Sequence, residues 1–113
     1  MKFNELIKAK VEYLDSARPT AVNLKWALDR MLECAKSFSG KDSKELFKYM
    51  EEEAIRIHYE DEQLCQDIGK FGVSLIEKDM GVMTHCNAGA LATTGIGTAT
   101  APMYLAHREK ISF

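Results

Sequence analysis

Residues 81–98 read GVMTHCNAGALATTGIGT, and this stretch decides the fold. Gly81 to His85 is short and apolar enough for one buried strand. The run from Cys86 to Thr98 is too small and too glycine-rich to be a core helix by itself. Residues 98–109 return to a helical pattern, with Pro102 in the first turn and Met103, Leu105 and Ala106 available for burial. Ile111 to Phe113 reads as the beginning of another strand. Strand, glycine-rich turn, helix, strand is the opening of a parallel α/β unit. One and a half strands cannot satisfy the edges of a sheet. The expectation is therefore a set of helices followed by the opening of an α/β domain whose remainder is absent.

Upstream, the chain is helical in pattern. Phe3, Leu6, Ile7, Val11 and Leu14 recur at helical spacing, so a helix is expected over 2–13. Residues 19–38 carry the clearest helix, with Ala21, Leu24, Leu28, Met31, Ala35 and Phe38 at intervals of three and four. Pro19 fits its first turn, and the Ser37 to Gly40 stretch supplies a stop. Residues 42–78 read as a longer helix capped by Asp42 or Ser43. Its apolar stripe is Phe47, Met50, Ala54, Ile57, Leu64, Ile68, Phe71 and Leu75. Asp61 interrupts that stripe and marks a candidate break. Gly69 and Gly72 weaken the helix locally but let another backbone approach closely. The fold class expected is mainly α, with four or five helices and at most two short strands. Residues 1–78 form the helical region and 79–113 the strand, glycine-rich turn and helix, packed as one compact unit. Apolar surface on Ile76, Val82, Leu91 and Ile96 is expected to face the absent sheet, and in isolation either to be covered by self-association or to leave the tail poorly ordered.

Composition narrows the classes. The 113 residues are 46% hydrophobic and 28% charged, too apolar for a disordered chain. Fifteen basic against seventeen acidic residues give a net charge of −2, which leaves no electrostatic footprint for nucleic acid. No stretch approaches the roughly 18 apolar residues of a membrane span. The first residues are not followed by the apolar core of a signal peptide, so a cytoplasmic location is expected. Cys34, Cys65 and Cys86 are odd in number and widely spaced, without a CxxC metal pattern.

Two places carry chemistry. At Thr84 to Gly89 a thiol sits in a turn leading toward a helix, where backbone N–H groups can converge on an anion. Thr93, Thr94 and Thr98 add hydroxyls without bulk. By spacing alone this is either a phosphate or sugar-phosphate site, or a buried cysteine in a glycine-rich packing turn. The second place is Arg18. Pro19 holds it out of the helical region at a helix start, where a guanidinium joins unsatisfied N–H donors and suits a phosphate. The plain alternative is an exposed arginine at a helix start. His85 beside Cys86 does not read as a metal pair, because neighbours on a strand point to opposite faces. His58 and His107 lack partner spacing. Glu51 to Glu53 reads as a solvated helix face, Cys34 and Cys65 as small core residues, and Trp26 as packing or interface.

Two longer segments go further. SARPTAVNLKWALDRM (16–31) and MTHCNAGALATTGIGT (83–98) closely resemble the methylthioribose-1-phosphate isomerase family, as do IGKFG (68–72) and Ala106-His107. That family is related to the regulatory subunits of translation initiation factor 2B. The resemblance implies an aldose–ketose isomerase converting 5-methylthioribose 1-phosphate to 5-methylthioribulose 1-phosphate in methionine salvage. It implies a cytoplasmic homodimer without metal or organic cofactor, and a helical domain packed on a Rossmann-like one. It assigns Cys86 as the catalytic cysteine and Arg18 as a substrate-binding residue, with Asn87 and Gly89 as supporting loop residues.

The departures matter as well. The family's Arg-Gly-Ala substrate loop has no match before Ala17, and its proton-donor aspartate and Asn-Lys pair have no match after Cys86. The chain is thus expected to resemble a middle portion of the enzyme. An isomerase needs a general acid or base within reach of the sugar oxygens. These 113 residues alone are accordingly expected to be inactive, or nearly so, until a complementing polypeptide supplies the rest. Two other readings stand beside this one. One is a non-catalytic binding or assembly module of the initiation-factor-2B-like family. The other is an isomerase for 5-deoxyribose 1-phosphate or ribose 1,5-bisphosphate.

Overall fold

The computed structural model describes residues 3–20 and 22–113. Ala21, placed above in an apolar stripe, and Lys2, placed at the start of the first helix, lie outside the described residues. Among the described residues four α-helices form: α1 (Phe3–Asp15), α2 (Val22–Ser37), α3 (Ser43–Gly72) and α4 (Ala101–Arg108). Short 3₁₀ turns occupy Val73–Leu75 and Ala90–Ala92. The chain packs as two compact units, Met1–Ile57 and His58–Phe113, and α3 contributes to both. The change of composition at residue 79 falls inside the second unit.

In the first unit α1 and α2 pack against each other. Pro19 lies in the turn between them, before α2 rather than inside its first turn. Asp42 caps α3 as expected, its Oδ1 accepting the Lys44 N–H at 3.1 Å. Glu53 on α3 pairs with Arg30 on α2 and with Arg56 one turn along. Arg30 also lies over the Trp26 ring, 5.4 Å from its centroid. A half-buried charge network therefore ties α2 to the first half of α3. An apolar groove of about 860 Å³ opens in this unit, lined by Phe3, Ile7, Met31, Phe38, Phe47 and Met50 among others.

The second unit is built on small residues. Cys65 and Gly69 are the buried residues of α3. A Cβ on Gly69 would meet Leu105 Cδ1 at 2.9 Å and the Ala101 carbonyl oxygen at 3.2 Å. One on Gly72 would sit 2.4 Å from Pro102 Cγ. The missing side chains let α4 lie directly on α3, and Ala101 and Ala106 of α4 are fully buried. Pro102 falls in the first turn of α4, as the sequence indicates. Gly72→Ala forces a rigid proline ring to move, so it is expected to destabilise the chain by about 1–3 kcal/mol despite alanine's better helix propensity. Urea unfolding of the variant checks this.

Four expectations need correction. Asp61 does not break the helix, because α3 runs on as 30 residues. The stripe Leu64, Ile68, Phe71 and Leu75 is not core but exposed, at 58, 40, 83 and 74%. The face of α3 that meets α4 carries its small residues instead. Ile76 does not face outward but is buried, whereas Leu91 is fully exposed. Lastly, the strands expected at Gly81–His85 and Ile111–Phe113 do not form, and there is no strand among the described residues. A strand exists only as a member of a ladder. Here a backbone hydrogen bond from the Asp79 N–H, just before the first region, to the Ser112 carbonyl at 2.8 Å is not continued into a ladder among the described residues.

Candidate functional site

The glycine-rich segment is an ordered loop held by threonine hydroxyls. Thr93 Oγ1 accepts the N–H of Gly95 at 3.3 Å and of Gly97 at 3.1 Å. The single proton of Thr100 Oγ1 lies between two carbonyls, Ile96 at 2.7 Å and Ala88 at 3.0 Å. Ala88 is buried, and its carbonyl also accepts the Thr98 N–H at 3.0 Å. Gly97 has φ +87°, and a Cβ there would come within 2.4 Å of the Ala88 oxygen. The loop therefore closes on Ala88, two residues after Cys86.

Cys86 adopts φ +64°. Left-handed backbone is uncommon outside glycine and asparagine, and such strain gathers at functional sites. The Cys86 carbonyl accepts the Ala88 N–H at 3.1 Å, which folds the chain tightly around Asn87. Its thiol is exposed. That exposure removes the reading of Cys86 as a buried packing cysteine. Asn87 is exposed, and Gly89 is half-buried at the entry to the 3₁₀ turn.

The loop is fastened to α3 at one carboxylate. Asp61 Oδ2 accepts both the backbone N–H of Thr94 and its hydroxyl, each at 2.9 Å. The His58 carbonyl lies 3.1 Å from the same hydroxyl. Gly95 then packs on Cys65 and Glu62, with a Cβ position 3.5 Å from Cys65 Cβ. Sequence reasoning read Asp61 only as an interruption. The available signal was only that an acid stood in a row of otherwise apolar residues.

Arg18 belongs to the first unit. It closes the turn after α1, its N–H donating to the Asp15 carbonyl at 3.1 Å, and its side chain is exposed. The residues after it, Pro19, Thr20, Val22, Lys25, Trp26 and Asp29, line a shallow depression of about 370 Å³. Lys25 is committed to Asp29 at 2.9 Å, and that hydrogen bond raises its pKa. Cys86, Asn87 and Gly89 share one loop of the second unit. Among the described residues no group of three His, Cys, Asp or Glu side chains is placed to hold a metal ion, and no helix is long and apolar enough to cross a membrane.

The three thiols differ enough to be told apart by alkylation. Cys65 is 1% exposed. Cys34 is half-buried, with its Sγ 3.9 Å from the Tyr49 carbonyl, and burial together with the nearby Glu53 carboxylate pushes its pKa up. The expected order near pH 8 is Cys86 first, Cys34 slowly, and Cys65 only on unfolding. Peptide mass spectrometry after timed iodoacetamide treatment checks it.

The candidate site is an exposed, backbone-strained cysteine in a glycine- and threonine-rich loop of a helical chain. Comparison with known proteins fixes the family. The chain belongs to the Initiation factor 2 subunit family, which it matches over residues 1–113. It is 50% identical over 111 residues to the 5-deoxyribose 1-phosphate isomerase of Clostridium botulinum (strain Okra / Type B1), covering 98% of this chain and 32% of that protein. The protein of the same name from Bacillus thuringiensis (strain Al Hakam) is 50% identical over 109 residues. Among solved structures, the translation initiation factor eIF-2B subunit delta from A. fulgidus matches with a TM-score of 0.75 at 34% identity, over 96% of this chain and 31% of that one. The chain thus spans about a third of the length of the relatives it matches.

Proposed function

We propose that this chain supplies part of the active site of an aldose–ketose sugar-phosphate isomerase whose substrate is a ribose 1-phosphate with an apolar 5-position. The observation that carries this reading is the 50% identity, over nearly the whole chain, to proteins named 5-deoxyribose 1-phosphate isomerase. The reaction is redox-neutral overall. The bond from C1 to the ring oxygen breaks and that oxygen takes a proton. One hydrogen passes from C2 to C1, and the C2 hydroxyl loses its proton to become the ketone. Arg18 binds substrate through the phosphate, for which a guanidinium fork is suited. Cys86 stands at the reacting carbons, with Asn87 and Gly89 shaping its loop. Proton transfer in such a step needs an acid or base within hydrogen-bond reach of the sugar oxygens. In this reading that group comes from the two-thirds of the family sequence outside these 113 residues, and the 113 residues alone are inactive. A cytoplasmic setting suits such an enzyme.

The exposed apolar surface supports the need for a partner. Among the described residues Val22, Phe71, Leu75, Met83 and Leu91 leave most of their apolar side-chain surface uncovered, and large exposed apolar patches mark interaction surfaces. A second copy of the chain or a polypeptide carrying the remaining family sequence would cover that surface.

The substrate is set by a side-by-side assay in the complemented enzyme. The named relatives favour 5-deoxyribose 1-phosphate, and the motif resemblance favours 5-methylthioribose 1-phosphate in methionine salvage. A methylthio group changes binding by only a few kcal/mol, so both are expected to turn over, with kcat/KM differing by about 10- to 200-fold. In the same assay Arg18→Ala is expected to raise KM for either substrate, and an unchanged KM removes Arg18 from the site. A regulatory, non-catalytic role is the second reading, favoured by the initiation-factor structure at 34% identity. It requires that the complemented protein bind sugar phosphates weakly or not at all.

A further inference from the structure

We propose that Asp61 is a positioning residue for Cys86, acting at a distance through the glycine-rich loop. Its functional meaning rests on Cys86 being an active-site group, as proposed above. Its mechanical content does not. The connection can be followed atom by atom. Asp61 Oδ2 holds the Thr94 N–H and hydroxyl, both at 2.9 Å. The neighbouring Thr93 hydroxyl oxygen gathers the Gly95 and Gly97 N–H groups. Gly97 lies against the Ala88 carbonyl with no room for a side chain. That carbonyl also accepts the Thr98 N–H and the Thr100 hydroxyl, both at 3.0 Å. Ala88 in turn closes the bend whose first residue is Cys86, at φ +64°.

The arrangement accounts for two features with one cause. An acidic side chain interrupts the apolar stripe of α3 without ending the helix. A cysteine keeps a backbone conformation that costs free energy unless its surroundings fix it. Both follow if α3 acts as the rigid element and Asp61 as the point where the loop is fastened to it. A carboxylate serves better than a neutral acceptor here, because charge-assisted hydrogen bonds are about twice as strong.

The test uses the 113-residue chain and needs no substrate. Amide exchange is followed at Thr94, Gly95, Gly97 and Thr98, and iodoacetamide modification at Cys86, in wild type, Asp61→Ala, Asp61→Asn, Thr94→Val and Thr94→Ser. Asp61→Ala is expected to speed exchange at all four amides by at least about tenfold, the lower end of the scale for a lost charge-assisted hydrogen bond. It should also move the Cys86 rate toward that of the urea-unfolded chain. Thr94→Ser, which keeps the hydroxyl, should restore most of both, and Asp61→Asn, which keeps an acceptor oxygen without the charge, about half. The Asp61→Ala and Thr94→Val effects should not add, because they break one linkage. If Asp61→Ala changes only Thr94, leaving Thr98 exchange and Cys86 modification at wild-type rates, the coupling does not exist. A wild-type Cys86 rate already equal to the unfolded rate also overturns it. Loss of the isomerase reading would appear differently, as intact coupling in a complemented protein that turns over no sugar phosphate.

Discussion

Gly97→Ala is expected to destabilise the second unit by about 3 kcal/mol. About 1–2 kcal/mol comes from placing an L-residue in left-handed backbone. The remainder comes from overpacking, commonly about 1–3 kcal/mol. The new methyl group would sit 2.3 Å from Thr100 Oγ1, 2.4 Å from the Ala88 oxygen and 2.7 Å from Gly89 Cα. Two of those atoms are backbone and cannot swing away. Cys65 is the probe for this unit, since it is 1% exposed and lies beneath Gly95. A 3 kcal/mol loss should accelerate its alkylation by about a hundredfold where opening is at equilibrium. Unchanged Cys65 protection in Gly97→Ala would mean that the loop does not close on Ala88 as described.

Cys86→Ala in the complemented enzyme is expected to lower kcat by about 10²-fold or more, the usual scale for a group acting on proton transfer or on the developing transition state. Substrate KM should change much less, because phosphate binding is assigned to Arg18. Folding should be unaffected, as the thiol is exposed and alanine removes nothing that packs. The two substitutions therefore separate cleanly. One acts on the loop's shape and is read by protection, the other on chemistry and is read by turnover. A Cys86→Ala enzyme with full kcat would take the cysteine out of the mechanism and leave the regulatory reading in front.

The helices were legible because their signals are local. Asp42 caps α3, and Pro102 opens α4, as their residue types require. What periodicity could not supply was the partner of each face. Leu64, Ile68, Phe71 and Leu75 form a regular stripe, yet α3 packs on α4 through Gly69 and Gly72. Apolar spacing shows that a face favours burial, whereas missing Cβ atoms decide how closely another backbone can come. The strands were overread for a related reason. Apolar residues at Gly81–His85 are suited to a sheet, but pairing needs neighbours that a sequence window does not contain. At the site, Cys86 and its loop stood out by composition. Its left-handed backbone did not, since Asn87 next to it is the residue type that more often adopts φ above zero. The Asp61–Thr94 link spans 33 positions and has no local signature beyond an acid in an apolar row.

The most direct measurement is to co-express this chain with a polypeptide carrying the remaining two-thirds of the Clostridium botulinum relative. The purified complex is then assayed for conversion of 5-deoxyribose 1-phosphate and 5-methylthioribose 1-phosphate to the ketose phosphates. The account expects a stable complex, ketose formation only when both polypeptides are present, and loss of that activity with Cys86→Ala. A complex that assembles and yields no ketose from either sugar would contradict it.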